Sequence, residues 1–111
     1  MVWLRQLYLG ELIRGRADQA RREIEEGKYP WNVYLVILPE NRHNELEIVS
    51  AQRLRIPYVR AHIPVIAGLA FGQEEAAIVV RNIVQDTVDH TGGADVRGYL
   101  SGAESVQDPA Q

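Results

Sequence analysis

The side chains in this chain that could do chemistry are few, and their neighbours decide what they could do. There are three histidines, His43, His62 and His90, and no cysteine. Disulfides, thiolate metal sites and a cysteine nucleophile are therefore excluded. Asp86 and His90 stand four apart, a spacing that puts both on one side of a helix. Two ligands do not make a metal site, and the pair reads as a helix-terminal histidine beside a carboxylate. His43 lies in Glu40-Asn41-Arg42-His43-Asn44-Glu45, a polar run with the residue types for acid–base work or ligand binding but the composition of an ordinary surface loop. Ser50, Ser101 and Ser105 lack the strand–turn–helix setting of an activated serine. Gly68-Leu69-Ala70-Phe71-Gly72 is neither a dinucleotide fingerprint nor a phosphate loop, because it lacks the third glycine of one and the Gly-Lys-Ser/Thr of the other. Catalytic residues, a metal and a cofactor are not expected.

The elements that must position these residues are better marked. Pro64 to Val88 is a continuous apolar run, a glycine turn and a helix-spaced pattern, the signature of a buried strand followed by a helix. On that helix Ala76, Val80, Ile83, Val84 and Thr87 form the expected core face, with Ala77 and Val88 beside it. Ile78 and Val79 widen the apolar arc toward a second contact surface. Thr91-Gly92-Gly93 stops the helix, and one further short turn is expected between Ala94 and Leu100. Val33 to Leu38 is a second buried strand, closed by Pro39. Trp31 before it reads as core packing.

Leu9, Ile13, Ala17, Ala20 and Ile24 recur at helical spacing and predict a first helix, with Gly10 or Gly15 as a break and Gly27 as its C-cap. Leu4, Leu7, Tyr8 and Leu12 fall elsewhere on the same wheel, so the first turns need a second packing surface or another chain. For residues 45–54, Asn44 and Glu47 have the form of a capping box and favour a helix. Alternation of Leu46 and Ile48 with Glu47 favours a strand instead. Pro57 predicts extended backbone at Ile56, and Tyr58 to Pro64 reads as an extended edge segment.

Together these predict a small α/β domain over residues 1–100, in the order α-β-α-β-α with a narrow, mainly parallel sheet, and a solvated tail over residues 101–111. The alternative is α+β, α-β-β-β-α with a three-stranded meander. If the two apolar strands are parallel neighbours, their carboxyl ends bring together Asn41, Arg42, His43 and Asn44 with Phe71, Gly72 and Gln73, the expected ligand edge of such a sheet. The helix starting near Gln73 offers free amides to an anion, but Glu74 and Glu75 in its first turn oppose a phosphate.

Charge and composition narrow the function class. Fifteen acidic and twelve basic residues give a net charge of −3, and the arginines of the first helix are interleaved with carboxylates. That mixture speaks against nucleic acid. No apolar run reaches the roughly 20 residues of a membrane span. The N-terminal residues lack the pattern of a signal peptide, and a cytoplasmic location is expected. The preferred reading is a non-enzymatic, self-associating interaction domain, a homodimer in its simplest form. The alternative is a small-molecule-binding or catalytic protein using the strand-end edge.

Overall fold

A computed structural model describes residues 1–40 and 45–102. Among these residues four strands, β1 (Val2–Leu9), β2 (Val33–Leu38), β3 (Glu47–Ser50) and β4 (Val65–Phe71), form one mixed sheet in the order β1-β4-β2-β3. The helices are α1 (Ala17–Glu25), α2 (Pro57–Ala61), α3 (Gln73–Thr91) and α4 (Val96–Gly102), with 3-10 turns at Arg14–Arg16 and Ala51–Arg55. The sheet has an apolar layer on each face. On one, Ile13, Ala17, Ala20 and Ile24 pack with Leu35, Ile37, Ile66 and Leu69. On the other, Ala76, Val79 and Ile83 of α3 and Val96 and Leu100 of α4 cover Leu4, Val36, Ala67 and Ala70. The single mixed α/β domain is thus three layers deep, and its strands are apolar on both sides because both sides are covered. No helix among the described residues is long and apolar enough to cross a membrane.

Several expectations are corrected. The chain opens with a strand, not a helix, and α-helix begins only at Ala17. Ile13, Ala17, Ala20 and Ile24 do line the core as their spacing requires. Gly27 follows the helix at φ 84°, with the Lys28 amide bonded to the Glu23 carbonyl, a glycine-ended C-terminus. The parallel pair is β1 with β4, Leu9 opposite Leu69. β2 and β4 are antiparallel, with Val33 opposite Phe71 and Leu38 opposite Val65. The physical reason is the route of the chain between them. β3 turns back along β2, Ile37 opposite Glu47 and Tyr34 opposite Ser50. The 3-10 turn and α2 then return the chain to the far end before β4 begins. Neither the expected α-β-α-β-α order nor the three-stranded meander is matched, since β2 lies between β3 and β4.

The helix expected over residues 45–54 is a short strand followed by a 3-10 turn, with Val49 buried and Ile48 exposed in strand alternation. Asn44, its expected cap, lies outside the described residues. Ser50 caps the 3-10 turn, its Oγ accepting from the Gln52 amide at 3.3 Å. Ile56 is extended as Pro57 demands, but Pro57 then opens α2 rather than an edge strand, because its fixed φ suits a first helical position. α3 ends at Thr91 with Gly92 left-handed, as expected. Ser101 and Gly102 belong to α4, and the rest of the expected tail lies outside the described residues.

Candidate functional site

Because β1 and β4 run in parallel, their exits lie side by side, and this is where Phe71, Gly72 and Gln73 are found. Gly10 continues the pairing, its amide donating to the Leu69 carbonyl at 3.1 Å, and Gly72 donates to the Asn32 carbonyl at 2.8 Å. Gly72 needs its freedom, at φ 94°, to swing the chain from β4 into α3. Three loops therefore meet at this edge: Gly10 to Ile13, Trp31 to Asn32, and Gly72 to Gln73.

Asn41, Arg42, His43 and Asn44, the other half of the expected ligand edge, lie outside the described residues. Their chain leaves β2 at Leu38, which pairs with Val65 at the start of β4, so the exits of β2 and β4 are at opposite ends of the pair. The edge anticipated for β2 and β4 is formed instead by β1 and β4.

At the centre of the edge is Glu75, third residue of α3 and only 8% exposed. Its carboxylate accepts from the Leu12 amide at 2.7 Å, the Phe71 amide at 2.9 Å and the Ile13 amide at 3.2 Å. Carboxylates near a helix start commonly reach back to a preceding amide; this one also crosses to the loop after β1. Amides converging on one point form an anion nest, and the chain's own carboxylate occupies it. The same contact explains why α3 is rotated from its expected orientation. Glu75, Ala76, Val79, Ile83 and Thr87 are buried, while Val84 of the expected core face and Val88 beside it are exposed.

Around this polar centre large apolar side chains stand exposed among charged and polar ones. Leu12 is 67% exposed, Ile78 46% and Trp31 72%, so Trp31 is not the core residue its type suggested. Trp31 meets Phe71 edge-on, ring centroids 6.1 Å apart at 78°. The Arg16 guanidinium also lies over Phe71, 5.2 Å from the ring centroid. A furrow of about 640 Å³ runs between Leu12, Arg16, Gln19, Glu23, Trp31 and Phe71. It continues past Leu12 and Phe71 into a hollow of about 330 Å³ bounded by Gln73, Glu74 and Ile78.

No protein-family model matches the chain, and comparison with curated proteins and with solved structures returns no match.

The remaining histidines are held by local contacts. His62 Nδ1 bonds the Tyr58 carbonyl at 2.7 Å and its ring lies on Tyr58 at 4.1 Å. His90 Nδ1 bonds the main-chain carbonyl of Asp86 at 2.8 Å, not its carboxylate, and stacks on Tyr99 at 5.5 Å. The Asp86 carboxylate accepts from the Tyr8 hydroxyl at 2.9 Å. Sequence reasoning missed Leu12, Arg16 and Trp31 as parts of one surface. The signal available was the pair of apolar residues, Leu12 and Ile78, that fitted no core face.

Proposed function

We propose that this chain is a small non-enzymatic interaction domain that self-associates through the face formed by Leu12, Trp31, Phe71 and Ile78. The observation that carries this reading is a tryptophan 72% exposed beside a furrow large enough to take an aromatic side chain. Tryptophan and arginine dominate the energetics of protein interfaces, and here Trp31 and Arg16 both contact Phe71. A two-fold interface must be self-complementary. This face has a projection next to a cavity, and among the described residues its furrow is lined by one cation, Arg16, and one anion, Glu23, so two copies can oppose unlike charges.

The rival, a small-molecule ligand or a reaction at the strand exits, has fewer donors to use there, since the converging Leu12, Ile13 and Phe71 amides are already bonded to Glu75. The test is mass by light scattering after size exclusion at high micromolar concentration. The expected result is twice the 12.5 kDa chain mass. Trp31→Ser with Leu12→Ser should give the single-chain mass with an unchanged circular dichroism spectrum, since loss of interface anchors costs about 2–4 kcal/mol each. A wild-type protein that stays at the single-chain mass, or a double variant that still dimerises, sinks the reading.

A further inference from the structure

A second concavity lies on the α3 side of the sheet, away from the strand-exit face, and its construction is unusual. Between Trp3, opposite Ile66, and Tyr8, opposite Gly68, β1 spends Leu4, Arg5, Gln6 and Leu7 where β4 spends only Ala67. This large bulge arches from the sheet edge, burying Leu4 against α4 while Arg5 and Gln6 stay exposed. Bulges recur beside binding sites because they re-aim side chains. Here the arch, α3 and α4 enclose a hollow of about 270 Å³ lined by Leu4, Gln6, Leu7, Tyr8, Asp86, Tyr99 and Leu100.

Among the described residues, the lining has one formal charge, the Asp86 carboxylate, and no cationic side chain. One carboxylate oxygen accepts from the Tyr8 hydroxyl, and among the described residues no other donor reaches that side chain. Burial, and next the hydrogen bond to Asp86, push the Tyr8 phenol above its ordinary range, so it holds its proton and acts as a donor. Two phenol rings beside an anion attract a cation through both the carboxylate and the ring π-systems, with one face of Tyr99 already stacked on His90. Leu7 is the half-buried aliphatic side chain of the lining, Leu4 and Leu100 being fully buried, so the accessible wall is mainly polar with one apolar edge.

We propose that this hollow binds a small alkylammonium molecule, its charged head at the Asp86 carboxylate beside the Tyr8 and Tyr99 rings and its short chain against Leu7. The inference is independent of the self-association reading, which uses other residues. The probe is butylammonium chloride, titrated into the whole chain at constant ionic strength and followed by amide and aromatic NMR, with 1-butanol as the uncharged match. Saturable shifts centred on Leu4, Gln6, Leu7, Tyr8, Asp86 and Tyr99 are expected, with butanol weaker by about tenfold or more. Asp86→Asn should weaken butylammonium by about tenfold while keeping a dispersed spectrum. Should Asp86→Asn disturb the fold, Tyr99→Leu tests the ring face: binding should weaken in that variant and persist in Tyr99→Phe. Unsaturable or scattered shifts overturn the proposal. So does butanol binding as tightly as the amine, or undiminished binding in a folded Asp86→Asn or Tyr99→Leu protein.

Discussion

Glu75 shows how one side chain can decide both a local structure and what a site cannot do. Its carboxylate satisfies three main-chain donors, two in the loop after β1 and one at the end of β4, which meet only in the folded chain. Hydrogen bonds to an ionised group are each worth about 1.5–3 kcal/mol, and stranded buried donors are costly. Glu75→Ala should therefore lower stability by about 3 kcal/mol in urea unfolding at pH 7, and Glu75→Gln by roughly half that, since its one oxygen must serve donors that two now share. Gly10 belongs to the same unit, because a side-chain carbon there would run into the Glu75 carboxylate. Gly10→Ala should cost about 2 kcal/mol alone but much less once Glu75 is alanine, a coupling a double-mutant cycle reads directly. Strict additivity of the two would refute the contact. From sequence, Glu75 is a first-turn carboxylate complementing the helix dipole, and that much is correct. Its burial was not legible, because Leu12 and Ile13 come from the opposite end of the chain.

At the scale of elements, the two long apolar runs and the helix stopped by Gly92 were readable, since each is written in local periodicity and turn chemistry. β1 was not, and its bulge is the reason. A regular strand alternates, but β1 places its large apolar and aromatic residues at Trp3, Leu4, Leu7 and Tyr8, a three-and-four spacing that imitates a helix. Strand direction was equally hidden, because a strand covered on both faces has the same composition whichever way it runs. The bulge also makes Gly68 the point where β1 rejoins β4. A Cβ there would stand 2.7 Å from the Tyr8 carbonyl oxygen and 2.9 Å from Val79 Cγ1, between a strand and α3. Main chain on one side leaves little room to yield, so Gly68→Ala should destabilise by about 2–3 kcal/mol. It should also raise hydrogen exchange at the Gly10 amide, which donates to Leu69 just beyond. Unchanged stability would mean that β1 does not close on β4 at this register.

For the whole molecule, α1 and α3 cover opposite faces of the sheet, yet the end where β1 and β4 exit is left with Leu12, Trp31 and Ile78 facing solvent. The candidate edge was legible in kind, as the carboxyl ends of adjacent parallel strands, but which strands supply it depended on the chain route. If the dimer proposed for that face forms, association and folding are linked by mass action, because only the folded chain presents the face. The melting temperature should then rise with protein concentration, by about 2–4 °C per tenfold for a fully dimeric domain of this size. Trp31→Ser with Leu12→Ser should melt at one temperature at every concentration. Both side chains are exposed in the single chain, so their removal should leave the low-concentration melting point within a few degrees of wild type. A large drop at low concentration would instead assign Trp31 and Leu12 to the stability of the single chain, and a wild-type melting point independent of concentration would leave the exposed face without a second copy to cover it.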